Sequence, residues 1–411
     1  MKVFNTLNRA ANFAAQRLAA RRQRQFITRN ATELFHVPSG DDRYKVALYF
    51  ADDMTNAYQI RQWYEPMKQL AEFVPVVVIT RRPDTALALR EECPLPVHYA
   101  ETIEDVEKLV DSQDLRLVFY VNQNIHNFQM MRFNAPDHVF ICHGESEKAY
   151  MWSNQLKAYD YVFSAGQAAR DRLAKNLHNY DVDARTRLIG RPQIDVSYSA
   201  PASLNSSLPT VLYAPTWEGD RPSMKYGSAS SHGEILIDTL IKDGGFNIIF
   251  RPHPRSGKAS ASYAQSVEKI RHNLAAAQAS SDATLLFDDS EQWGWQWAES
   301  DLCVTDISAV AYDFLATGKP MFVTKPVSAE ALVTGSPALA KVPSLTAEDL
   351  ENAPSLLRNA LTEEDSGFRE VVDYYFGDVT AGASMHRFLT ESLKLVVGEV
   401  QVRRLPLKKA A

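Results

Sequence analysis

The sequence predicts an α/β protein built as two doubly wound, Rossmann-like lobes with a ligand cleft between them. Three observations predict it. The chain has 411 residues, beyond the roughly 250–300 at which one hydrophobic core stops growing. Short β-branched apolar runs alternate with helical segments, the pattern of a parallel sheet covered on both faces. That alternation occurs twice, on either side of Ser197–Pro209, a stretch rich in Ser, Pro and Asn that reads as a linker.

In the first lobe, Lys45–Ala51 reads as a buried strand, Tyr58–Glu72 as a helix and Val74–Thr80 as a β-branched strand. Residues 103–112 read as a helix and Leu115–Val121 as a strand, and the strand Val139–Cys142 ends at His143-Gly144. Tyr161–Ser164 and Arg187–Ile189 supply two more strands around the helix Gln167–Asn176. In the second lobe the predicted strands are Thr210–Tyr213, Phe246–Arg251, Thr284–Phe287, Leu302–Thr305 and Met321–Thr324. The helices between them are Glu234–Asp243, Tyr263–Ala277, Gln292–Ser300 and Ala309–Thr317. The domains that follow are a basic N-terminal segment (1–40), a first lobe (41–196), a second lobe (210–390) and a basic tail (391–411), whose last residues Arg403, Arg404, Lys408 and Lys409 fray.

Apolar residues make up 45% of the chain and charged residues 23%, as in an ordinary globular protein. A net charge of -6 argues against a nucleic-acid partner for the molecule as a whole. The cysteines are Cys93, Cys142 and Cys303, without CxxC spacing. That predicts reduced thiols in a cytoplasm and argues against a disulfide framework or a structural zinc site. No apolar run reaches the roughly 18–20 residues of a membrane span, and the N-terminus lacks the pattern of a secretory signal. It is basic instead: Lys2, Arg9, Arg17, Arg21, Arg22, Arg24 and Arg29 precede the first acidic residue, Glu33. Apolar residues from Val3 to Leu18 recur among them at helical spacing. Two readings stand: residues 1–30 lie on an anionic bilayer, or they form a solvated helix or arm. The first predicts a cytoplasmic protein held peripherally on the inner face of the plasma membrane.

Ligands of open α/β sheets bind beyond the carboxyl ends of the strands, and four polar clusters fall there. His143-Gly144-Glu145-Ser146-Glu147-Lys148 follows the strand at 139–142. A histidine followed by a glycine that permits a tight turn suits a general base near neutral pH. Cys142 is an unsuitable partner for it, since neighbours on a strand point to opposite faces. Ala214-Pro215-Thr216-Trp217 offers a hydroxyl and an indole. Arg251-Pro252-His253-Pro254-Arg255 is stiffened by two prolines, and an extended backbone aims Arg251 and His253 the same way, a cationic pair suited to a diphosphate. Thr305-Asp306-Ile307-Ser308 ends a strand, with Ser308 at a predicted helix N-cap whose amides suit an anion. Asp181-Val182-Asp183 has metal-ligand spacing but reads as a solvated loop, and Trp293, Trp295 and Trp297 read as packing. Ligand spacing shows no resident metal and leaves open a Mg²⁺ carried by a diphosphate.

Taken in order, these motifs resemble the CDP-glycerol glycerophosphotransferases of wall teichoic acid synthesis. The family pattern HGxxxK, APTW, RxHP and TDxSxVxxD, then a late glycine-rich stretch with an arginine, matches His143–Lys148, Ala214–Trp217, Arg251–Pro254, Thr305–Asp313 and Gly377–Arg387. The match runs over roughly residues 110–390. It departs at Glu145-Ser146-Glu147, where the family has small or apolar residues, and at Ala309, where it has a second serine. The resemblance implies a GT-B fold, with the acceptor on the first lobe and a CDP-alcohol on the second. It implies that an acceptor hydroxyl, lipid-linked or polymeric, attacks the phosphorus bearing glycerol and releases CMP from the co-substrate CDP-glycerol. By the same resemblance His143 and His253 are catalytic, and Arg251, Thr216, Asp306, Ser308 and Arg387 bind donor and phosphate. Lys148 and Glu145 lie on the acceptor side. The alternative is a GT-B glycosyltransferase that uses a nucleotide sugar for capsule or glycolipid synthesis.

Overall fold

The computed structural model describes residues 18–30, 35, 37–146, 149–200, 203–205, 207–290, 292, 294–326, 328, 331, 342–362 and 369–403. Two sheets carry the fold. The first contains β1 (Val46–Phe50), β2 (Val76–Thr80), β3 (Val97–Tyr99), β4 (Leu117–Tyr120), β5 (Asp137–Phe140), β6 (Tyr161–Ser164) and β7 (Thr186–Leu188). Its order is β3-β2-β1-β4-β5-β6-β7. The second contains β8 (Thr210–Ala214), β9 (Asn247–Phe250), β10 (Leu285–Phe287), β11 (Leu302–Thr305), β12 (Met321–Thr324) and β13 (Ser344–Leu345), in the order β10-β9-β8-β11-β12-β13. β1 is flanked in parallel by β2 and β4, and β8 by β9 and β11. Strand order therefore reverses between β1 and β4 and again between β8 and β11. Those two crevices are where such sheets bind ligands. Two doubly wound parallel sheets bear out the predicted α/β class.

The described residues fall into two compact units. One comprises those within Met1–His143, Asn154–Phe163 and Leu389–Leu407, the other those within Gly144–Ser153 and Ser164–Phe388. The central strands form because their apolar runs are continuous: every residue of β1, β2 and β8 is buried, as expected of strands covered on both faces. The helix Ile103–Ser112 starts at a reciprocal capping box. Asp105 N donates to Thr102 Oγ1 at 3.1 Å and Thr102 N to Asp105 Oδ2 at 2.9 Å.

Several elements differ from expectation. The helix predicted at 58–72 is split into Tyr58–Arg61 and Tyr64–Ala71 by Trp63, whose buried indole donates to Cys142 O at 2.6 Å. Strand β5 ends at Phe140, two residues earlier than read, because Asp137 pairs with Leu117 and the ladder starts there. Cys142 is therefore outside the strand, in the left-handed region at φ 53°, which is uncommon for a side chain of any size. Strand alternation thus says nothing about Cys142 and His143; a sharp turn separates them. Pro83–Glu92, β3 and three late helices (Ala353–Thr362, Arg369–Phe376, Ala383–Val397) were not predicted. Of the basic tail, residues 391–403 are described, and 404–411, which include most of the stretch expected to fray, lie outside the described residues. Residues 391–397 complete the helix Ala383–Val397, a further turn spans Glu399–Val402, and Leu393 and Val402 are buried, so apolar contact holds this stretch in place. Ser197–Pro209 is likewise anchored where described: Asn205 N donates to Thr284 Oγ1 and Asn205 O accepts from Asn247 Nδ2.

The core of the second unit surrounds Trp295, Trp297, Tyr312 and Tyr375 on one side of its sheet and Tyr213, Phe246, Phe250 and Ile270 on the other. Trp295 and Trp297 are packing residues, as read; Trp293 lies outside the described residues. An ion pair is buried here. Arg191 Nε donates to Asp313 Oδ1 at 2.6 Å, with side chains 5% and 2% exposed. Burial pushes the Asp313 carboxyl up, and the Arg191 charge pulls it back. Removing one partner leaves an uncompensated buried charge. Arg191→Met is expected to destabilise the protein by about 3–5 kcal/mol in urea denaturation; a loss below about 1 kcal/mol would show the pair to be dispensable.

Candidate active site

The turn at Cys142 presents His143 at the C-terminal edge of the first sheet. His143 Nδ1 lies 3.2 Å from Val121 O. A carbonyl can only accept, so Nδ1 carries the proton and Nε2 holds the lone pair. The ring also meets Tyr58 edge-on, centroids 5.8 Å apart. His253 is held in the opposite state: Arg255 N donates to His253 Nδ1 at 3.1 Å. The neutral ring then carries its proton on Nε2. In their neutral forms the two rings are therefore opposite tautomers, with an acceptor nitrogen at Nε2 of His143 and a donor at Nε2 of His253.

In the second unit the crevice between β8 and β11 is closed by Asp306. Its Oδ2 accepts from Thr216 N at 2.8 Å and Ser228 N at 3.0 Å, and its Oδ1 from the Thr324 hydroxyl. Burial pushes the carboxyl up to about 6, against the hydrogen bonds that favour its charge. Thr216 and Asp306 are thus brought together, with Asp306 facing the loops it binds. A second carboxylate works the same way: Glu218 accepts from Gly257 N, Ala259 N and Ser260 N at 2.7–2.9 Å. With Arg255 stacked 3.9 Å from the Trp217 ring centre, it joins the loop after β8 to the loop after β9.

Ser308 stands at the N-cap position of Ala309–Leu315, but its hydroxyl makes no capping bond and lies 3.4 Å from that of Thr305. Arg251 is engaged by groups of its own unit. Its guanidinium pairs with Asp288 and donates to Gln292 O at 2.7 Å. Arg387 is similarly engaged, donating to Asp378 O at 2.8 Å and Phe376 O at 3.0 Å. Beside it Gly190, at φ 73°, has no room for a Cβ, which would meet Arg387 Nη2 and Ser384 Oγ at 2.2 Å. Glu145 is buried and paired with Arg172; Lys148 and Glu147 lie outside the described residues. Gly144 has a packing reason to lack a side chain: a Cβ there would come within 2.7 Å of Ala309 Cβ.

A cavity of about 540 Å³ opens beyond β8 and β12, lined by Lys225, Ser228, Ser230, Ser231, Tyr263 and Lys325 among others. Sequence reasoning missed it. Lys325 directly follows β12 and was within reach of the strand-end rule, whereas Lys225 and the serines sit in a loop without periodicity. A π-helical turn, Ala229–Gly233, begins the helix that backs this cavity; such turns concentrate at functional sites. Among the described residues no group of three or more His, Cys, Asp and Glu side chains could hold a metal ion. Asp181 caps the turn Val182–Arg185 by accepting from Ala184 N at 2.9 Å.

The opposite histidine states give a direct test. Nitrogen-proton correlation NMR above the histidine pKa values should find His143 protonated on Nδ1 and His253 on Nε2; the reverse for either ring would contradict these contacts.

The family model for CDP-glycerol:poly(glycerophosphate) glycerophosphotransferase matches residues 141–326, which hold four of the five motifs. Among curated proteins, none matches the chain in sequence. Solved structures share the fold at low identity. The wall teichoic acid polymerase TagF is similar at TM-score 0.52 and 14% identity, over 92% of this chain and 99% of that one. A glycosyltransferase from Rickettsia africae is similar at 0.50 and 12%, over 87% and 99%. S. aureus MnaA in its UDP co-structure is similar at 0.52 and 12%, over 87% and 98%. The resemblance carried by the ordered motifs is therefore borne out: on a GT-B fold, residues 141–326 match the CDP-glycerol:poly(glycerophosphate) glycerophosphotransferase family.

Proposed function

We propose that the protein transfers a glycerol-phosphate, or a related polyol-phosphate, from a CDP-activated donor to a hydroxyl of a lipid-linked or polymeric acceptor in teichoic-acid-like envelope synthesis. The observation that carries this reading, beside the family match, is the opposite hydrogen bonding of the two motif histidines at Nδ1, to a carbonyl for His143 and from an amide for His253. His143 Nε2 takes the proton of the acceptor hydroxyl as its oxygen attacks the phosphorus that bears glycerol. The new O–P bond forms, the bond to the diphosphate's bridging oxygen breaks, and CMP leaves with that electron pair. His253 Nε2–H hydrogen-bonds the departing phosphate, and Lys225 and Lys325 supply positive charge in the cavity. Asp306 and Glu218 act as positioning residues that hold the donor loops. Arg251 and Arg387 shape the loops they bind, and Thr216 and Ser308 offer hydroxyls to the donor.

A nucleotide-sugar glycosyltransferase is the second reading, favoured by the shared fold with the glycosyltransferase named above. Calorimetry with CDP-glycerol and UDP-sugars separates the two. Purified protein given CDP-glycerol and a lipid-linked acceptor should release CMP, and His143→Ala should slow that release by about 10²–10⁴-fold. No CMP from any CDP-polyol would overturn the proposal.

Membrane attachment through residues 1–30 is part of the same reading. No described helix is long and apolar enough to cross a membrane. In the described part, a helix over 18–29 buries Ile27 and pairs Arg24 with Glu101, while Leu18 and Phe26 are each 52% exposed alongside Arg21 and Arg22. Deleting residues 1–30 is expected to move the protein out of the membrane fraction; unchanged pelleting would remove this segment as the anchor.

A further inference from the structure

The crevice of the first unit, between β1 and β4, holds polar groups that the reaction above does not use. Asp52 follows β1 and Asn122 follows β4. Asn122 Nδ2 spends both its protons, on Gln59 Oε1 at 2.7 Å and Asp52 Oδ2 at 3.3 Å, and its own oxygen accepts from Asn124 N. The amide is thereby fixed in orientation. Gln59 Nε2 in turn donates to the Tyr58 hydroxyl at 3.2 Å, and the Tyr58 ring meets His143. His143 closes the circuit on Val121 O, one residue before Asn122. Asp52 and His143 therefore belong to one network.

Asp52 itself is half-buried, and it accepts from Asp53 N at 3.0 Å. Arg82 acts on it electrostatically but hydrogen-bonds Asp84, so with Asn122 bound Asp52 retains acceptor capacity for further donors. A carboxylate so placed accepts hydrogen bonds from hydroxyls.

We propose that Asp52, oriented by Asn122 and Gln59, selects the acceptor by binding the hydroxyl adjacent to the one activated at His143. The acceptor end is then a neutral vicinal diol and not a phosphomonoester. This rests on the reading of His143 as the base.

The test uses two soluble probes with the full chain: glycerophosphoglycerol, and its analogue in which both glycerols are replaced by 1,3-propanediol, so that neither end carries adjacent hydroxyls. Ligand-observed NMR gives affinities without donor, and CMP release with CDP-glycerol gives kcat and KM. Wild-type protein is expected to favour the diol probe by about 10–100-fold, the worth of a hydrogen bond to a charged group. Asp52→Asn should erase that preference by raising KM for the diol more than it lowers kcat, leaving the propanediol probe unaffected. Equal affinities in the wild type, or a variant that weakens both probes alike, would overturn the proposal. The wild-type comparison does not depend on the variant folding. Absence of CMP with either probe would defeat the reaction while the NMR preference still decides the subsite.

Discussion

The second unit's ligand face depends on a buried carboxylate. Asp306 sits at the strand-order reversal and gathers the amides of Thr216 and Ser228 and the hydroxyl of Thr324. Three separate chain segments, after β8, at the start of the π-helical turn and at the end of β12, converge on two oxygens. Without that acceptor, two backbone amides would be buried unsatisfied, which costs more than a hydrogen bond gains. Glu218 does the same for the amides of 257–260. Carboxylates inside the fold thus consume amides that an anionic ligand would otherwise take, and lysines line the space that remains.

Much of this was legible in the sequence because buried parallel strands are unbroken apolar runs. Their ends point to His143, Thr216, His253, Asp306 and Ser308 by simple reading. Partners were not legible. Nothing in Arg251-Pro-His253 reveals that Asp288, 37 residues later, holds the arginine, or that carbonyls at 376 and 378 hold Arg387. Spacing reports which way a backbone can aim a side chain, and a distant group then decides where it rests. Short elements failed for a related reason: β3 has three residues and β13 two, too few for any period to show. Of the departures from the family pattern, Glu145 acquires a partner only in three dimensions, where it meets Arg172, and nothing in the structure explains alanine at 309.

The two units solve a shared problem differently. Each has an aspartate at its strand-order reversal. Asp306 is fully enclosed and saturated by its own chain, and it serves as a structural fastener. Asp52 remains half-buried with capacity to spare. The same residue type at topologically equivalent edges is fastener in one and recognition group in the other, and the number of chain donors pointed at it makes the difference.

The late helix Ala383–Val397 begins within the second unit, and from Leu389 its residues belong to the first. The first unit is therefore not a contiguous piece of the chain. Its strands β1–β5 precede the second unit in the chain, yet Leu393 and Val402, which are buried in the finished protein, follow it. In vectorial synthesis, where an amino-terminal domain can mature while the rest is still being made, this unit reaches its full set of contacts only after the whole second unit has emerged.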